Sequence, residues 1–248
     1  MFLNTLASEW IKLRTTKSFW WTSALFIFFS VGMAALMGAF SEDQPLLANG
    51  AAVGVYMFGF IVIAVQAVMV VTTEYRHRYQ SVTYLATPKR WMVAVAKLLL
   101  YLVLGMLLTL VTVALCYLVA GWLAPSEATV AYEPFSSEEG RRLLWAYPVM
   151  AGLMIIFSQG IALLLRQTAG AVTLVLMWYL ALEGVIAMLP KVGDKIRNYG
   201  PFENLNAFVS NFEIQDVPWG VIGSGVYFAV WAVVIWVAGV ILLQKRDA

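Results

Sequence analysis

Charge is scarce in this sequence. Of its 248 residues only 12% are Asp, Glu, Lys or Arg, while 62% are hydrophobic. A soluble domain carries roughly a quarter charged residues, so this chain has too few to cover a core with a solvated surface. The composition is that of an integral membrane protein. The net charge is only +2 and no basic run is present, which gives no footing for nucleic acid. Cysteine is limited to Cys116, inside an apolar run, which excludes an intrachain disulfide and a thiolate metal cluster. The first apolar run opens only near Phe19 and no small-residue cleavage pattern follows it, so a cleavable signal peptide is not expected.

Catalytic vocabulary is equally thin. No Gly-Lys pair occurs, so the phosphate-cradling GxxxxGK[ST] loop is excluded and ATP cannot be hydrolysed by that device on this chain. His77 is the single histidine, which removes HExxH metalloprotease chemistry and leaves Ser-His catalysis without a base near any apolar pocket. Glu138-Glu139-Gly140-Arg141-Arg142 is faintly similar to the paired-glutamate motif of intramembrane CAAX-type proteases. The arginine spacing is wrong, and the histidine-bearing second motif has no counterpart. The chain is not expected to be an enzyme, nor to bind a cofactor or metal of its own.

What the chain does have is apolar runs of spanning length. A helix needs about 20 apolar residues to cross the hydrocarbon core, and six runs meet that need, over about residues 19–40, 51–73, 91–123, 143–165, 169–189 and 219–243. The predicted fold is an all-α polytopic membrane protein forming one transmembrane domain over residues 1–248. The third run exceeds one bilayer thickness and should tilt or project, with Lys97 near its start snorkelling back to the interface. Residues 1–17 read as an amphipathic helix, with Phe2, Leu6, Trp10 and Leu13 on one face and Asn4, Ser8, Glu9, Lys12 and Thr15 mostly on the other. Too polar to span, it fits a helix in the headgroup plane anchored by Trp10, with Arg14 beside it; a frayed tail is the plain alternative.

Basic residues set the orientation. Lys12, Arg14, Lys17, Arg76, Arg78, Lys89, Arg90, Lys97, Arg166, Lys245 and Arg246 fall on one set of loops and ends. The other set holds Arg141, Arg142, Lys191, Lys195 and Arg197. The excess predicts that both termini and the segment 74–90, EYRHRYQSVTYLATPKR, are cytoplasmic. Inside the spans, Gln66 is the most polar residue of the second, and Glu183 is a carboxylate in the fifth. Such a residue in lipid points to a functional site or a specific partner, so a transport role and structural packing both stay open. Trp178 and Tyr179 either line an aromatic pathway beside it or simply pack.

Three stretches carry a resemblance. SEWIKLRTTKSFWW, TTEYRHRYQSVTYLATPKRWMVAVAK and LLLRQTAGAVTLVLMWYLALE, with the weaker FENLNAF, resemble ABC-2-type (type V exporter-like) transporter permeases of actinobacterial type. The matches are spread over most of the chain, and each alone is only moderately specific. One departure is Arg78-Tyr79, where family members often have Gly-Thr; it bears on the partner contact rather than on the family.

The resemblance implies a half-transporter that pairs with a second permease copy or a paralogue and binds two separate ABC ATPase subunits, which would hold ATP and Mg. The substrate would be exported across a bacterial plasma membrane, and long aromatic-rich spans suit an amphipathic or hydrophobic cargo. The N-terminal helix would be the connecting helix. The coupling helix would be formed by Glu74, Tyr75, Arg76, His77, Arg78, Tyr79, Tyr84, Leu85, Pro88, Lys89 and Arg90, and the last long loop would supply short re-entrant helices roofing the pathway. His77 is then either part of the docking surface or a solvated loop residue. The alternative is a motorless membrane scaffold or secondary carrier, although a carrier usually places ionisable groups at the bilayer midplane.

Overall fold

The computed structural model describes residues 2–41, 45–77, 79–80, 83, 85, 89–130 and 132–245. Among these residues there is no β-strand, and six helices are long and apolar enough to cross a membrane. The protein is therefore an all-α, multi-pass membrane protein. Helix α1 spans Phe2–Thr15, and Thr16, in extended conformation, separates it from α2, Lys17–Ala39. Next come α3, Ala48–Arg76, and the 34-residue α4, Arg90–Leu123. At 1.5 Å per residue α4 is about 50 Å long, well beyond a hydrocarbon core of about 30 Å. Helix α5 is Glu138–Leu165 and α6 is Thr168–Ala187; two short helices follow, α7 (Gly193–Asn198) and α8 (Pro201–Ser210), before α9, Val221–Lys245.

The apolar runs locate every one of these spans, and the ends differ for local reasons. α5 opens at Glu138 rather than near 143 because Glu138 and Glu139 occupy its first turn, where the helix dipole favours negative charge. α6 begins directly after a turn in which Arg166 takes a left-handed conformation (φ 54°) and Gln167 is extended. Pro201 stands at the start of α8, where its missing N–H costs nothing, and Asn211 closes that helix in the left-handed region with φ 57°. α3 and α6 each contain a five-residue π-helical stretch, Val55–Gly59 and Trp178–Leu182.

The chain forms two compact units. One comprises Arg14–Ile63 and Val103–Gly152. In it α2 meets α4 so closely that a Cβ on Gly38 would collide with the Ala120 carbonyl. Tyr56, Phe60 and Tyr147 form an aromatic cluster. Hydrogen bonds fasten α4, α5 and the stretch between them. The Leu46 amide donates to Ala128 O (3.1 Å), the Tyr132 hydroxyl to Tyr117 O (3.0 Å), and the Tyr117 hydroxyl to Gly140 O (3.1 Å). Burial pushes the Tyr132 phenol up to about 12.

The other unit comprises Met1–Leu13, Ala64–Leu102 and Leu153–Ala248. Its core is aromatic: Phe157 packs on Trp178, Phe202 and Phe228, with ring centroids 5.1–5.7 Å apart. Every candidate site residue described below, except Arg14, belongs to this unit.

Candidate functional site

Four charged side chains from three helices meet in this second unit. Glu9 and Lys12 are three apart on α1 and so share a face. Glu74 closes α3, and Lys97 lies about two turns into α4. Glu9 accepts from Lys12 Nζ through Oε1 (2.7 Å) and from Lys97 Nζ through Oε2 (2.5 Å). Glu74 Oε1 accepts from both lysines, at 2.7 Å from Lys12 and 2.9 Å from Lys97. The result is a closed ring of alternating charge whose formal sum is zero.

Burial makes the ring consequential. Glu9 is 4% exposed, Lys97 7% and Glu74 9%, so each charge has lost most of its water and depends on its neighbours. Lys12 alone keeps an exposed side, and it also reaches Thr83 Oγ1 at 3.4 Å. Burial works against the Lys12 ammonium, but the carboxylates of Glu74 and Glu9 together outweigh it and hold its pKa above the ordinary lysine value.

Two expectations change here. The sequence pattern puts Glu9 on the polar face of α1 and lets Lys97 snorkel to the interface; in the structure both are buried in the ring. α1 packs through the stripe Thr5, Glu9 and Leu13 and leaves Leu3, Trp10 and Ile11 exposed. Glu74, grouped in the sequence with the docking residues, faces inward, where burying its charge is tolerable only because two lysines meet it. A charge in or beside each of two apolar runs, Glu74 and Lys97, was the available clue, because buried charges need partners.

The rest of the segment 74–90 points outward where it is described. Arg76, His77, Tyr79, Leu85 and Lys89 are exposed, and the His77 ring stacks against Tyr79 at 6.1 Å. Arg90 is half-buried and donates to Leu243 O at 3.3 Å. Arg78, Tyr84 and Pro88 lie outside the described residues. Tyr75 is half-buried beneath Arg166, whose guanidinium carbon sits 5.4 Å from the ring centroid. Arg14 is exposed, and its carbonyl accepts from Trp20 Nε1 at 2.8 Å.

Glu183 is assigned a definite task. Its carboxylate accepts from the backbone N–H of Phe202 (2.9 Å) and of Glu203 (2.6 Å), the first free amides of α8 behind Pro201, and from Trp178 Nε1 (3.0 Å). It caps α8 from a neighbouring span, in the position where a helix terminus favours an anion. Gly200 makes room for it, because a Cβ there would occupy the place of Glu183 Oε2. Trp178 and Tyr179 pack on Phe202 around this cap. Nearer the ring, Tyr101 donates to Gln66 Oε1 at 2.6 Å, so the polar group of the second span is engaged within the protein.

The described residues contain no group of three or more His, Cys, Asp or Glu side chains placed to hold a metal ion. Compared with protein-family models and with curated proteins, the sequence finds no match.

Proposed function

We propose that this chain is the membrane-spanning permease subunit of an ATP-driven ABC exporter of the ABC-2 type. It moves an amphipathic or hydrophobic substrate (a drug, a lipid or a peptide) outward, and separate ATPase subunits supply the power. In this reading it lies in a bacterial plasma membrane with both termini in the cytoplasm. It pairs with a second copy or a paralogue, and two ATPase subunits bind ATP and Mg beneath the pair.

The observation that carries the reading is the charge ring. It fastens α1 to the ends of α3 and α4, the two spans that flank segment 74–90. A partner pressing on the exposed Arg76, His77, Tyr79, Leu85 and Lys89 would therefore move three helices as one body, because rigid packed elements transmit displacement rather than absorb it. α1 serves as the connecting helix at the headgroup level, turning Leu3, Trp10 and Ile11 toward lipid. α8, held at its first turn by Glu183, roofs the outer end together with α7. A motorless scaffold has no use for an exposed basic-aromatic surface braced in this way.

Copurification from the native membrane, followed by reconstitution in proteoliposomes, tests the proposal. The expected result is a complex with an ATPase carrying the Walker A motif, in which Arg76→Glu or Arg78→Glu leaves ATP hydrolysis running while transport falls at least tenfold. A chain that purifies alone and transports without ATP would establish the motorless alternative. Full transport by both charge-reversal variants would remove segment 74–90 from the mechanism.

A further inference from the structure

The corner where α1 turns into α2 concentrates positive charge. Arg14 and Lys17 are both exposed, and among the described residues neither has a carboxylate partner. The acidic residues nearest in sequence are Glu9, buried in the ring with two lysines, and Glu42, beyond the far end of α2. Lys17 also stands in the first turn of α2, which holds no acidic residue. The helix dipole is positive there and disfavours a cation, so the corner is more positive than its two side chains alone make it.

Aromatic surface follows at once. Trp20 and Trp21 are 57% and 68% exposed. Trp20 Nε1 donates to the Arg14 carbonyl at 2.8 Å, which ties its ring back to the corner, and Phe19 meets that ring edge-on with centroids 5.6 Å apart. Further along the span Phe28 and Phe29 are exposed in turn. From Lys17 to Phe28 is about 16 Å at 1.5 Å per residue, close to half a hydrocarbon core of about 30 Å. The surface of α2 thus runs from cationic through aromatic to apolar over the depth of one leaflet.

We propose that this corner binds the headgroup of an anionic phospholipid in the adjoining leaflet. Arg14 and Lys17 supply the charge. Trp20 and Trp21 sit at headgroup depth, where amphipathic rings are favoured, and Phe28 and Phe29 lie alongside the acyl chains. A soluble anion would use the two cations but not the aromatic run beyond them. A zwitterionic lipid would use the run but brings its own ammonium to the cations. Each Lys or Arg near an anionic membrane surface contributes about a fivefold preference, so the selectivity rests on both cations together. The site does not rest on an ATPase docking at segment 74–90, and its failure would leave that proposal standing.

The test uses the full chain in phosphatidylcholine vesicles, with a bimane label on the thiol introduced by Ala24→Cys, an exposed position two turns along α2. Cys116 is buried and stays unlabelled in the folded protein. Phosphatidylglycerol or phosphatidylcholine carrying a nitroxide on its acyl chain is added, and quenching is read against mole fraction. The phosphatidylglycerol probe should quench at a mole fraction lower by about tenfold or more, and raised salt should shrink the difference. Arg14→Gln and Lys17→Gln should each remove roughly fivefold of that preference, and the double variant nearly all of it. Arg14→Lys with Lys17→Arg, which keeps both charges, should retain it. Lys195→Gln, which removes an exposed cation in the other unit, should change nothing.

Should the double variant fail to fold, the two single variants carry the same readout. Equal quenching by the two probes in the parent, or an unchanged preference in the glutamine variants, overturns the proposal. So does quenching by neither probe, which would mean that protein rather than lipid covers the corner.

Discussion

Glu183 satisfies three donors with two oxygens, and its replacement has a graded outcome. Glu183→Ala strands two α8 amides and the Trp178 indole N–H. It should cost about 1.5–3 kcal/mol, the range for hydrogen bonds to a charged group, seen as a lower midpoint of thermal unfolding. Glu183→Gln keeps an acceptor and should lose less than half as much. The charge ring predicts a different pattern. Lys97→Met leaves Glu9 and Glu74 facing each other with only Lys12 between them, and breaking a buried pair in this way costs about 3–5 kcal/mol. Adding Glu9→Gln restores the charge balance, so the double variant should be more stable than Lys97→Met alone. A double-mutant cycle on thermal midpoints measures that sign reversal, and additive losses would show that the four groups do not act as a unit.

At the scale of the helix, attachment of α1 is a pH-dependent property with a definite sign. The Lys12 pKa is raised in the folded protein, so its contribution is complete below the ordinary lysine value of about 10.4. It is lost as the pH climbs through the raised one. Trp10, 38% exposed on the same helix, reports this: its fluorescence should hold steady up to about pH 10 and change above that, and Lys12→Gln should remove the transition. In the other unit, the α2–α4 contact at Gly38 has no room for a side chain. Gly38→Ala should destabilise by about 1–3 kcal/mol through overpacking, whereas Gly32→Ala on the same helix, with open space at its Cβ, should be neutral or better.

The helices themselves are legible in the sequence because an apolar run of bilayer length has few other folds available. Their partners are not. Lys97 and Glu9 are 88 residues apart, and no local pattern says that a polar residue of α1 will turn inward to meet a span. Glu183 is likewise readable as an anomaly but not as a cap, because its donors belong to a helix that exists only once Gly200 and Pro201 have turned the chain.

For the molecule as a whole, the composition that excludes a soluble protein also limits where charge can be placed, and much of what is buried is matched. Among the described residues the ring spends two carboxylates and two ammoniums on holding three helices, and Glu183 spends one on a helix terminus; the outward charges of segment 74–90 are those the proposed ATPase contact would use. This division separates two variant classes. Ring and cap variants should lower the thermal midpoint, whereas Arg76→Glu should leave it within about 0.5 kcal/mol of wild type, as exposed substitutions do. A large loss of stability in Arg76→Glu would mean that the exposed surface is structural. The ring also sets an order of events during biosynthesis. α1 leaves the ribosome before α4, and Lys97 follows Glu9 by 88 residues, on the order of 4–18 s at 5–20 residues per second. Through that interval Glu9 and Lys12 must remain in water or headgroups, so α1 is made well before it can be seated, and a ribosome stalled before Lys97 emerges should leave α1 open to protease.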